Sequence, residues 1–401
     1  MMQDRIQPKV SGLAVADAIP LAMVYASDGD SEGVVRQALG DLGIQNPVFG
    51  IDGVRGAISD LSKKPSPRLL IVDISGADEP IAQINQLADV CEPNTGVIVI
   101  GNRNDIILYR ELKNAGVVEY FFKPLSGALV SRACNAVLTG NVEQRVLRTG
   151  RLIFLLGARG GCGATTIGVR LAWHLAQTRK RLVAFLDLDL QTGDSALQFD
   201  VTPHHALREA LEHPERIDEL FLERGVVRVT ERLDLLASEE PLDFLPAYAE
   251  DALLTLLERL RHNYRYVFVD VPVAHAALMQ RVLHLPSLCF LVSDGSLVSA
   301  RDVARWRLFL GPNSAERSTV HILNKANAPG SLPIEEFNRA VGKPPDITVP
   351  YDKDVAAATN LGVRHLEECH AFMRALGPAL RDISGEPTES ERTLLDRIIG
   401  R

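Results

Sequence analysis

From about residue 20 onward, short apolar runs alternate with stretches whose apolar positions recur every three or four residues. LAMVYA, NPVFG, RLLIVDIS, GVIVIG and EYFFKP are apolar and bounded by turn-forming residues, which predicts strands. Between and after them, SEGVVRQALGDLG, GVRGAISDLSKK, EPIAQINQLADVC, DIILYRELKNAG and LSGALVSRACNAVL carry the helical period. A polar stretch, TGNVEQRVLRTG, interrupts the series. The alternation restarts with RLIFLLGA and TTIGVRLAWHLAQTRK and runs through LVAFLDLDL, RLDLLAS, YRYVFVDVP, SLCFLVSD, TVHILNK and PDITVP. Strands separated by helices pair in parallel through crossovers, so each series predicts a sheet wrapped by helices. The predicted fold class is α/β, with two doubly wound parallel-sheet domains. Residues 1–18 read as a loose tail, 19–140 as the first domain, 141–150 as a linker, 151–385 as a second, larger domain, and 386–401 as a charged tail.

Composition narrows the partners more than the fold. The 401 residues, 46% hydrophobic and 23% charged, suit two packed cores. A formal net charge of -8 gives no basic footprint for a phosphate backbone, so no nucleic-acid partner is expected. Cys91, Cys134, Cys162, Cys289 and Cys369 stand in no metal-binding spacing, which points to a reducing compartment and to cysteines used as small apolar residues. Neither a signal segment nor an apolar run of spanning length is visible. The expected location is cytoplasmic, with membrane contact at most peripheral.

In the first domain, Asp73 closes the third strand and Lys123-Pro124 follows the fifth. With the order of elements, these residues resemble the phospho-acceptor receiver domain of two-component signalling, a flavodoxin-like fold, across residues 19–140. Receivers hold Mg²⁺ with an acidic pair after the first strand, because a hard cation wants carboxylate oxygens. Here Ala26 and Ser27 fall at the pair, Asp28 is displaced by one residue, and Gly101 replaces the hydroxyl residue after the fourth strand. The resemblance therefore implies an atypical receiver-like docking domain. Asp73 is expected to be an unused acceptor position, a polar residue at a strand end.

The stretch RGGCGATT, residues 159–166, lies between a strand and a helix, the setting a phosphate-binding loop requires. Gly160, Gly161 and Gly163 let successive backbone N–H groups face an anion, and the following helix adds its positive end. Thr165 and Thr166 supply hydroxyls for Mg²⁺, but Ala164 stands where the loop lysine belongs. Losing one charge-assisted hydrogen bond of about 1.5–3 kcal/mol weakens phosphate binding roughly 10- to 100-fold. Hydrolysis suffers more, since the ammonium also meets charge developing in the transition state.

The loop resembles that of the MinD/ParA class of P-loop ATPases, KGGxGK[ST]T, with Arg159 in place of its leading lysine and Cys162 at the variable position. Later landmarks match in order: Asp187 and Asp189 in the D-x-D strand, Asp270 at the Walker B position, and Asn324 in HILNKAN. The resemblance implies catalytic positions at Asp189 and Asp187, weak or vestigial here. It implies ATP contacts from Arg159 through Thr166, Mg²⁺ held through Thr165 and Asp270, and adenine contact at Asn324.

An atypical receiver joined to such a domain with a lysine-less loop, and with an insert ending in LLASEE, resembles the TadZ/CpaE family of type IVb (Flp, tight-adherence) pilus assembly proteins. That resemblance implies a homodimeric localisation factor at the pole or the inner-membrane face. Its implied partners are the pilus secretion ATPase and inner-membrane components, and its implied cofactors are ATP and Mg²⁺, bound weakly or not at all. At the extreme C-terminus, Leu394, Leu395, Ile398 and Ile399 share one helical face, as in the short membrane anchor of MinD-type proteins, a pattern that equally fits a tail packed on its own domain. The rival readings are a ParA-type partitioning ATPase acting on DNA or cellular cargo, a true response regulator, and a metabolic P-loop kinase. The first wants Arg170, Arg179, Lys180 and Arg181 gathered on one basic face. The second wants the acidic pair, and the third wants the loop lysine and a lid.

Overall fold

A computed structural model describes residues 19–140, 149–244 and 249–384, together with the backbone but not the side chain of Leu278. Two sheets form. The first contains β1 (Ala22–Tyr25), β2 (Val48–Gly50), β3 (Leu69–Asp73), β4 (Gly96–Gly101) and β5 (Glu119–Phe122), all parallel, in the spatial order β2-β1-β3-β4-β5. LLIVD and GVIVIG are buried along their whole length because helices cover both faces of these inner strands. Of the two apolar cores, one gathers Leu70, Val72 and Val97 with the helices Gly53–Leu61 and Pro80–Val90, the other Ile71, Ile98 and Val24 with Gly29–Asp41 and Gly127–Thr139.

The second sheet contains β6 (Arg151–Gly157), β7 (Val183–Asp187), β8 (Val227–Thr230), β9 (Leu233–Leu236), β10 (Tyr266–Val271), β11 (Ser287–Ser293), β12 (Arg317–Ala326) and β13 (Ile347–Pro350). Their spatial order is β13-β12-β11-β6-β10-β7-β9-β8. Seven of these strands are parallel; β8 runs antiparallel to β9. The sequence reading placed no strand at VVRVT. Its residues are only partly buried, as befits an edge strand, and a two-residue reversal at Glu231 and Arg232 returns it onto β9. The helix Ala164–Gln177 packs across the sheet, burying Ile167, Leu171 and Leu175.

The two sheets are joined through buried ionic groups. Arg181 Nη1 donates to the carbonyls of Leu61 (2.8 Å) and Val90 (2.7 Å), and Arg265 Nη2 to that of Asp89 (2.8 Å). These carbonyls end the helices Gly53–Leu61 and Pro80–Val90, where unpaired oxygens and the negative end of the helix dipole attract cations. In return Glu92, 3% exposed, accepts from the Leu182 N–H at 3.1 Å, directly before β7. Burial pushes its carboxyl above the ordinary range although Arg181 and Arg265 pull the other way. All five cysteines are buried and unpaired. Among the described residues no helix is long and apolar enough to cross a membrane.

Candidate functional site

In open α/β sheets a crevice forms beyond the carboxyl ends of the strands where connections depart in opposite directions. β6 is such a point, flanked by β10 and β11, with β7 reached on one side and β12 on the other. A cavity of about 970 Å³ opens there, lined by RGGCGATT, Asp187, Asp189, Asp270, Asn324 and Lys325.

The loop after β6 keeps the backbone form its glycines allow. Gly161 and Gly163 have φ of 79° and 92°, the left-handed region that a side chain resists. A Cβ on Gly163 would lie 2.5 Å from Asn324 Nδ2, whereas Gly160 and Gly161 face open space. Two side chains of β12 hold the loop from behind: Asn324 Nδ2 donates to the Cys162 carbonyl at 2.9 Å and Lys325 Nζ to that of Gly161 at 2.8 Å. Ala164 begins the next helix where the loop lysine is missing. Arg159 is exposed, within electrostatic range of Asp294. Burial would raise that carboxyl, but hydrogen bonds from Ser296 and Ser299 and the Arg159 charge outweigh it and hold it low.

The opposite wall is acidic. Asp187 and Asp270 are register partners on β7 and β10 and both are buried. Burial first, and then a neighbouring carboxylate, raise both carboxyls. Asp187 accepts the Ser195 hydroxyl at 2.5 Å, and Asp270 is hydrogen-bonded to Thr165. Gly193 is required here, since a Cβ would sit 2.6 Å from Asp187 Oδ2. Asp189, expected from the resemblance at a catalytic position, caps its own turn, accepting from Thr192 N at 2.9 Å and Thr192 Oγ1 at 2.8 Å. Thr166 also lines the cavity, and Asn324 is buried with its amide on the loop.

Two facing carboxyls raised chiefly by burial, with a threonine hydroxyl alongside, are the oxygen donor set a divalent cation satisfies. The open glycine cradle and the start of the helix Ala164–Gln177 fit a phosphate chain. The residues present therefore fit a Mg²⁺-nucleotide, held by the loop amides, Thr165 and Asp270, which supplies a transferable terminal phosphoryl group when bound. Lys325 escaped the sequence reading, as did the wall made by Tyr351, Asp352, Val355, Asn360 and Phe372. A usable signal was present: PYD follows a strand, and loops at strand carboxyl ends line such crevices.

At the corresponding end of the first sheet there is an ion cluster. Lys123 Nζ lies 2.6 Å from Asp73 Oδ2 and also bonds Asp28 Oδ2. Asp73 is 1% exposed and accepts the N–H groups of Ser27 (3.1 Å) and Ser75 (2.8 Å). It is thus the buried anchor of a partly exposed ion cluster, at the strand end where the sequence placed it. Asp28 caps the helix Gly29–Asp41, and its carboxyl is held down to about 2 by Lys123 and then by the Ser31 N–H. Gly101 ends β4 as expected. Leu394, Leu395, Ile398 and Ile399 lie outside the described residues.

Comparison with known proteins places the second sheet. A family model described as an AAA domain matches residues 150–299. A ParA family protein of Chlamydia muridarum is 27% identical over 152 residues, 36% of this chain and 52% of that protein, so the chain spans about half the length of the curated relatives it matches. A ParA family ATPase from Chlorobium tepidum TLS superposes with a TM-score of 0.51 at 21% identity, covering 59% of this chain and 98% of its own. A pilus assembly protein CpaE from Caulobacter crescentus CB15 is 31% identical over 29% of this chain and 97% of its own, with a TM-score of 0.28. Residues 150–299 thus match an AAA domain, and the second sheet has the fold of a ParA family ATPase.

Proposed function

We propose that this protein is a dimeric localisation and assembly factor of a type IVb pilus machine, held together by a nucleotide that it binds and hydrolyses poorly or not at all. The observation that carries the reading is the loop itself: an open cradle with its glycines, its threonines and Asp270 in place, but with Ala164 where the chemistry needs an ammonium. A subunit that holds ATP without spending it works as a clasp, because a ligand sandwiched between two copies stabilises the dimer by mass action alone. The first domain supports the same reading as an atypical receiver. Its sheet order is that of flavodoxin-like folds, and Lys123 occupies the ground between Asp28 and Asp73 that a phosphorylation site keeps for a metal. The pilus assignment rests on the sequence resemblance of this pairing of domains. Arg159, exposed at the cavity mouth, is assigned to the partner subunit's nucleotide.

A partitioning ATPase that acts on DNA or cellular cargo is the second reading, favoured by the chlamydial ParA relatives. The basic face it wants is broken up: Arg170 and Arg181 are 5% and 7% exposed, and Arg181 is spent on the seam between the domains.

The test is calorimetric titration of Mg·ATP, with sedimentation before and after, on the parent and Arg159→Ala. Binding that drives dimerisation, and dimerisation lost in the variant, is the expected result. A dimer indifferent to nucleotide removes the clasp, and a turnover above about 1 per second removes the non-hydrolysing scaffold.

A further inference from the structure

A phosphate chain carries several negative charges, and this cavity is poor in charge to meet them. Among the described residues its cations are Arg159 and Lys325, against Asp187, Asp189, Asp194, Asp270 and Asp352. Arg159 lies within electrostatic range of the Asp294 carboxylate. Lys325 is different. Its ammonium donates to the Gly161 carbonyl, so its charge rests on the loop whose own lysine is absent. The backbone delivering it is unusual: the pairing of β12 with β13 shifts register between Leu323 and Ala326, and Lys325 itself has φ of 53°. Bulges of this kind re-aim side chains, and a non-glycine residue in the left-handed region persists only where its surroundings enforce it. The neighbouring Asn324 is fixed on Cys162, which anchors the segment at the loop while the lysine, exposed and four carbons long, keeps its reach.

We propose that Lys325 supplies from β12 the positive charge that Ala164 removed from the loop, pivoting from the Gly161 carbonyl to the phosphates of a bound nucleotide. The inference rests on the nucleotide reading above and adds a phosphate-binding residue to it. A planar peptide sets N–H opposite C=O, so by holding the Gly161 carbonyl on the β12 side Lys325 also keeps the Cys162 N–H turned away from that strand before the ligand arrives. Charge and cradle then come from one side chain, but only the charge is replaceable from position 164.

The experiment is calorimetric titration of Mg·ADP into the parent, Lys325→Ala, Lys325→Arg, and Lys325→Ala combined with Ala164→Lys. The expected result is a loss on the order of 10-fold in Lys325→Ala, most of the affinity kept in Lys325→Arg, and recovery of part of the lost affinity in the double variant. Parental affinity in Lys325→Ala overturns the inference and leaves the nucleotide reading standing. So does a double variant as weak as Lys325→Ala, which makes Lys325 a brace for the loop and nothing more. No Mg·ADP binding by the parent removes both.

Discussion

The carboxyl ends of the two sheets both gather carboxylates, and they are built in opposite ways. Beyond β3 and β5, Lys123 has folded onto Asp73 and Asp28, and the groups neutralise one another with Asp73 fully covered. Beyond β6 the lysine is missing, yet about 970 Å³ stays open and Asp187 and Asp270 confront one another. The difference lies in what builds each site. The first is made of side chains on flexible stems, and these pair with one another. The second is made of backbone, and glycines in left-handed conformation hold their N–H groups wherever the chain path puts them. A cluster written in side chains closes on its own charges; a site written in main chain stays open.

The strongest way to break this comparison is to remove the charge that closes the first site. Lys123→Ala strands a carboxylate that is 0% exposed, and the expected loss is about 3 kcal/mol, read as a lower melting temperature with the second sheet's transition little changed. An unaltered melt would mean that the cluster does not hold that end together. Next, Gly163→Ala forces a Cβ to 2.5 Å from Asn324 Nδ2 at φ of 92°, with an expected cost of about 2 kcal/mol and loss of nucleotide binding by calorimetry. Gly160→Ala, which meets nothing within 4 Å, is the control and should leave the fold as it was.

Acid sharpens the comparison, because all ten histidines lie at or after residue 174. Burial, with Arg307 adding to it, depresses His321 to about 4, and burial with Arg170 and Arg179 does the same to His174. The unfolded chain then binds more protons than the folded one between about pH 6.5 and about pH 4, so stability of the second domain falls as pH drops through that window. The expected loss is on the order of 2 kcal/mol from His321, followed by denaturant titration, and His321→Gln should flatten the profile. The first domain should hold over the same range. Its own acid response comes later and is smaller: Asp28, low at about 2, contributes stability above about pH 4 that is lost as pH falls through 2. Its side chain is 40% exposed, so Asp28→Asn should cost under about 1 kcal/mol and lower the acid sensitivity of the first transition.

The strands and helices around these sites were legible because buried parallel strands read as continuous apolar runs and their covering helices as periodic ones. β8 was not, since VVRVT is short, half-buried and interrupted by Arg228. The loop could be recognised because its glycines are adjacent in sequence, and Asp187 and Asp270 because strands present them in register. Lys325 could not, for its meaning depends on a shift in β12 pairing and on a carbonyl 164 residues away. Arg170 and Arg181 looked like surface charge in RKR-rich surroundings, and only packing revealed that both are covered. Asp73 was legible as a position but not as an anchor, because its partner comes from the far end of the domain.

The seam built from Arg181, Arg265 and Glu92 decides whether the halves are interchangeable parts. A graft that set a different front domain before β6 would leave two guanidinium groups facing a surface without the helix-end carbonyls of Leu61, Asp89 and Val90. Moving the front domain elsewhere would carry off Glu92 without the Leu182 N–H that satisfies it. A domain swap therefore has to exchange both faces of the joint together.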